Sequence, residues 1–82
     1  MILYKKKMLY KKIRRGRELQ QVTKKVKEER KKRGVSQLEM AEYLNMTQSS
    51  YSKIEQGKQK LLVEDLVKIA EKFDISIDRL LR

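Results

Sequence analysis

Residues 36–57 read Ser36-Gln37-Leu38-Glu39-Met40-Ala41-Glu42-Tyr43-Leu44-Asn45-Met46-Thr47-Gln48-Ser49-Ser50-Tyr51-Ser52-Lys53-Ile54-Glu55-Gln56-Gly57. Ser36 offers an N-cap, and Glu39 three residues on completes the pattern of a capping box. Leu38, Met40, Ala41 and Leu44 then supply the apolar positions of a short helix over about 36–44. Asn45 ends it, because after glycine asparagine best tolerates the left-handed conformation. Met46 plugs the corner from inside. Thr47 is a second N-cap, opening a helix over about 48–56 with Gly57 past its end. Ala41 is small because the two helices must cross closely there. Tyr51 and Ile54, three apart and apolar, face inward. Gln48, Ser49, Ser52, Lys53 and Gln56 make the opposite face. Amide, hydroxyl and ammonium groups on one exposed helix face can hydrogen-bond base edges in a DNA major groove.

Outward from this stretch the pattern stays helical. Leu19, Val22 and Val26 fall three and four apart in a helix running from Glu18 to a stop at Gly34. Lys31, Lys32 and Arg33 in its last turn suit the negative end of the helix dipole. Downstream, Leu66, Ile69, Ala70 and Phe73 form the stripe of a helix over 63–73. Leu61 and Leu62 stand where Pro, Ser or Asp would be expected before it. Asp74 breaks that run, and Ser76 caps a short fifth helix carrying Ile77, Leu80 and Leu81. With no proline and three glycines, the chain reads as all-α with five helices.

Eighty-two residues suffice for one domain. Cysteine and histidine are both absent, which removes disulfides, thiolate chemistry, most zinc sites and the usual proton-transfer side chain. No nucleophile–base–orienter set can be assembled, so the expectation is no enzyme, no cofactor and no metal. No apolar run approaches the roughly 20 residues needed to cross a bilayer. The N-terminus lacks the apolar core of a secretory signal, and a cytoplasmic location is expected.

The net charge of +11 is uneven. Residues 1–33 carry 15 Lys/Arg against 3 Glu, whereas residues 34–82 carry 7 basic against 8 acidic. Such asymmetry suits a polyanion. Residues 1–17 are expected to form a basic arm, and residues 18–82 the domain. The arm holds a near-duplication, Ile2-Leu3-Tyr4-Lys5-Lys6 and Met8-Leu9-Tyr10-Lys11-Lys12, and eight positive charges precede Glu18. Its apolar residues do not make a clean face, which argues against a membrane anchor. The arm is expected to lie along a phosphate backbone, or to offer residues 1–16 to a protein partner.

The ordered set Ser36-Gln37-x-x-x-Ala41, Ser52-Lys53-Ile54-Glu55-x-Gly57 and Leu66-x-x-Ile69-Ala70 resembles the phage-repressor and Cro type of helix-turn-helix, also called the xenobiotic-response-element family. The likeness covers roughly residues 19–82; Asn45, where glycine is usual, and Leu61-Leu62 depart from it. It implies a five-helix lambda-repressor-like domain with a basic N-terminal extension. It also implies a sequence-specific transcriptional regulator, a repressor more than an activator, bound as a homodimer to a near-palindromic operator in double-stranded DNA. The alternative is the antitoxin of a toxin–antitoxin pair, binding both DNA and protein. By this resemblance Gln48, Ser49, Ser52 and Lys53 match base-facing positions. Gln37 matches a phosphate-gripping position, and Ser50 and Lys58 further backbone contacts. Arg30 and Glu55 match a partly buried ion pair.

Overall fold

The computed structural model describes residues 16–81, with side chains from Val22 onward. Most of the basic arm expected over residues 1–17, with its phosphate contacts and its surface for a protein partner, lies outside the described residues. Within them the chain is all-helical: α1 Gly16–Lys32, α2 Gln37–Tyr43, α3 Gln48–Glu55, α4 Val63–Phe73 and α5 Ile77–Leu81. The first helix starts two residues before Glu18, where the apolar spacing placed it.

One device ends four of the five helices. Gly34, Asn45, Gly57 and Asp74 all adopt positive φ, at 68°, 60°, 77° and 52°. At each, the left-handed residue donates its N–H to a carbonyl three back, and its successor donates five back. The pairs are Gly34 to Lys31 and Val35 to Arg30, Asn45 to Glu42 and Met46 to Ala41. Gly57 to Ile54 with Lys58 to Lys53, and Asp74 to Glu71 with Ile75 to Ala70, complete the series. This double bond satisfies carbonyls that a helix end would otherwise leave open. At three of the ends the successor is apolar (Val35, Met46, Ile75) and folds back onto the core.

The starts are less uniform. Ser36 Oγ accepts from the Glu39 N–H at 3.0 Å, and Thr47 Oγ1 from the Ser50 N–H at 3.1 Å. The reciprocal half of the capping box is not made; the Glu39 carboxylate accepts instead from Lys72 Nζ at 3.5 Å. At α4 the cap position is Leu62, with extended backbone and no side-chain hydrogen bond. Glu64 and Asp65 in the first turn place negative charge at the positive helix end instead.

The core is contiguous. Val22 and Val26 of α1, Met40, Ala41 and Leu44 around α2, and Tyr51 and Ile54 of α3 meet Val63, Leu66, Ile69, Ala70 and Phe73 of α4, closed by Leu61 and Leu80. Burial of each large aliphatic side chain contributes about 1.5–3 kcal/mol. Two apolar positions of the central stretch fall elsewhere. Leu38 is 50% and Tyr43 42% exposed. In seven residues α2 turns barely twice, so Met40, Ala41 and Leu44 fill its inner face and Leu38 falls opposite. Tyr43 sits at the margin with the Lys72 ammonium 4.8 Å from its ring centroid. Leu80, by contrast, is fully buried in the domain's own core.

Candidate nucleic-acid interface

The short helix α3 is anchored from beneath and bare above. Tyr51 and Ile54 are 0% and 1% exposed, which fixes the rotation of the helix about its axis. The same rotation leaves Gln48, Ser49, Lys53 and Gln56 exposed and Ser52 half-buried, all on the opposite side. Two hydroxyls of α3 are held by neighbours. Ser52 Oγ accepts from Gln56 Nε2 at 3.0 Å, and Ser50 Oγ from Gln59 Nε2 at 2.5 Å. Gln48, Ser49 and Lys53 extend from the first two turns, and Lys58 lies exposed just beyond Gly57.

Behind the bare face, Glu55 collects four hydrogen bonds. Arg30 Nε donates to Oε2 at 2.7 Å and Arg30 Nη2 to Oε1 at 3.1 Å, a two-pronged pair. The Tyr51 hydroxyl donates to Oε2 at 2.5 Å, and Gln37 Nε2 to Oε1 at 3.0 Å. Arg30 Nη1 also donates to the Val35 carbonyl at 2.8 Å. The side chains of Arg30 and Glu55 are only 9% and 2% exposed. One carboxylate thus joins α1, the start of α2 and the end of α3, and holds the two ends of the helix pair in a fixed relation.

The electrostatics follow. Burial pushes the Glu55 carboxyl up, but hydrogen bonds from Arg30, Tyr51 and Gln37 outweigh it and hold the group below its usual range. Burial, with the hydrogen bond to Glu55 second, pushes the Tyr51 phenol well above its usual value, so it stays a donor. The hydrogen bond to Glu55 raises Arg30 further, against its own desolvation.

The sequence-derived residues therefore fall into two groups. Gln48, Ser49, Ser52 and Lys53 lie together on the bare face of α3, flanked by Ser50 and Lys58. Arg30, Glu55 and Gln37 meet behind it. Gln37, matched by resemblance to a phosphate grip, is half-buried with its amide N–H₂ directed at Glu55. A donor on a primary amide leaves its second N–H and its carbonyl for another partner. The share of Tyr51 in this cluster was visible only as an i, i+4 spacing to Glu55. A second cluster escaped sequence reasoning altogether. Glu29 is buried and paired with Arg33 one turn on and with Arg79 of α5 at 3.3 Å. Arg33 also lies 4.8 Å over the Phe73 ring and donates to the Phe73 carbonyl at 3.2 Å. The hydrogen bond from Arg33, then the Arg79 charge, lowers Glu29 despite its burial. Only the i, i+4 spacing of Glu29 and Arg33 hinted at it.

Among the described residues, no group of three or more His, Cys, Asp or Glu is placed to hold a metal ion. No helix there is long and apolar enough to cross a membrane. No curated protein and no solved structure matches the chain. A family model for the helix-turn-helix (HTH_3) matches residues 26–80, from the second half of α1 to the last turn of α5. That span contains both capped helices, the Asn45 turn between them and the Glu55 cluster behind them. The chain is a member of the phage-repressor and Cro type of helix-turn-helix family, and with it of the DNA-binding transcriptional regulators.

Proposed function

We propose that this regulator reads a specific duplex sequence by laying α3 in the major groove. Gln48, Ser49, Ser52 and Lys53 meet base edges, with Gln48 the adenine reader through its amide. Gln37, Ser50 and Lys58 hold the flanking phosphates and set the register. The observation that carries this reading is the split of α3 into a fully buried Tyr51–Ile54 side and a bare polar side. A helix whose rotation is fixed by its core can present a fixed pattern of donors and acceptors. Gln37 sits at the start of α2, where unpaired N–H groups and the helix dipole favour an anion.

One such head covers about half an operator, so two chains on a near-palindrome complete the reading, and occupancy of that site represses transcription. Selection of bound sites from random duplex DNA tests this. The expected result is a near-palindrome of two half-sites, each altered by substitutions at Gln48. Recovery of sequences with no common pattern would contradict it. Recovery of a site bound tightly only with a second protein present would favour the antitoxin reading.

A further inference from the structure

Between α1 and the end of α3 lies an open groove of about 310 Å³, lined by Thr23, Lys24, Lys27, Glu55, Gln56 and Gly57. Of these residues, Glu55 is turned inward and saturated by Arg30, Tyr51 and Gln37, and Gln56 donates to Ser52 Oγ. Lys24 and Lys27 are exposed, three apart and on one side of α1. Among the described residues no ion pair engages either ammonium. At Gly57 the backbone is bare, with no atom within 4 Å of the place a Cβ would take.

The position of this groove is more telling than its charge. Eight residues give α3 a length of about 12 Å. With Gln48 at the end of α3 that meets the base edges, Gln56 and Gly57 lie at the opposite end of the helix, toward a phosphate backbone. A helix C-terminus carries about half a negative charge and repels phosphate by itself. Lys58, just beyond Gly57, offsets part of that charge, and Lys24 and Lys27 are the cations that α1 adds beside it.

We infer that the groove between α1 and the C-terminal end of α3 is a second phosphate-binding site, in which Lys24 and Lys27 clamp the DNA backbone across the major groove from Gln37. The site rests on the placement of α3 in that groove. It extends the footprint of the domain to both walls and adds affinity without choosing sequence.

The test is the salt dependence of binding by the full chain carrying Lys24→Ala and Lys27→Ala together. The probes are a duplex with the selected site and a scrambled duplex of equal length. Each phosphate contact contributes about 0.9 to the slope of log K against log salt. The double variant should show a slope shallower by about 1.8 on both duplexes, so the affinity it loses between 0.05 and 0.2 M salt is about tenfold smaller than the wild type loses. The preferred sequence and the melting temperature should stay those of the wild type. A control pair, Lys25→Ala with Lys68→Ala, removes the same charge from the far side of α1 and from α4. An equal change of slope in the control would reduce the effect to net charge and overturn the site. An unchanged slope in Lys24→Ala/Lys27→Ala would overturn it too, while sensitivity of the selected site to Gln48 would leave the reading of α3 standing. A wild type that selects no sequence at all would instead fail the reading on which the site rests.

Discussion

The residue that organises this domain is Glu55. A carboxylate whose side chain is 2% exposed persists in ionised form only because its oxygens accept from Arg30, Tyr51 and Gln37. Arg30→Ala removes the charged partner and leaves the carboxylate buried with two neutral donors. We expect a loss of about 1–3 kcal/mol, above the value of an exposed ion pair, and a thermal melt that matches the wild type would dispose of the claim. The acid limb of stability is a second consequence. Glu55 and Glu29 are both held below the ordinary glutamate value of 4.5 in the folded state. Carboxyls depressed in this way contribute stability above the unfolded pKa and lose it as pH falls through the folded one. Stability should therefore be level near neutral pH and fall on acidification below about 4.5. Glu55→Gln, less stable at neutral pH, should show a shallower fall, with Glu29 accounting for what remains. An acid limb of equal steepness in both proteins would show that Glu55 is not the group that titrates. Little of this cluster was legible in residue types alone. The Arg30–Glu55 match came from the resemblance, and nothing in spacing pointed to Gln37, eighteen residues away from Glu55.

At the scale of elements the sequence was far more readable, because helix ends are written in local chemistry. Ser36, Thr47 and Ser76 each cap from the side chain, and Gly34, Asn45, Gly57 and Asp74 each take the left-handed position. Such signals depend on three or four neighbouring residues and not on the rest of the fold, so they survive translation from string to structure. The facing of single side chains depends on what packs against them, which is why Leu38 landed outside. Leu62 is the weak point that both sequence and structure identify. Its backbone already has the geometry of an N-cap, at φ −75° and ψ 150°, yet its side chain caps nothing and it is 60% exposed. Leu62→Ser should accept from the first turn of α4 and raise stability by about 0.5–1 kcal/mol, read from chemical denaturation with an unchanged m-value. A loss of stability would mean that Leu62 contributes packing its exposure does not suggest.

For the whole molecule, the described residues divide into a core that fixes α3 and a polar face that α3 presents. For the proposed pair of chains, we propose the segment from Ile75 to Leu81 as the contact. Leu80 is consumed by the domain's own core, which leaves Ile75, Ile77 and Leu81, each half-buried, with Ser76 exposed among them. That is a small apolar surface, so the proposed dimer is expected to form on DNA more readily than free. Titration of a full operator at concentrations above Kd should reach two chains per site, with half-site centres one helical turn, about 34 Å, apart. Saturation at one chain on an asymmetric site would contradict the two-fold arrangement. The central claim remains that the bare face of α3 reads bases, and affinity for two duplexes measures it most directly. Gln48→Ala should weaken binding to the selected site by about 1–3 kcal/mol and leave binding to a scrambled duplex nearly unchanged. If Gln48→Ala weakened both duplexes by one common factor, Gln48 would be a backbone contact and α3 would not be the reading helix in the manner described.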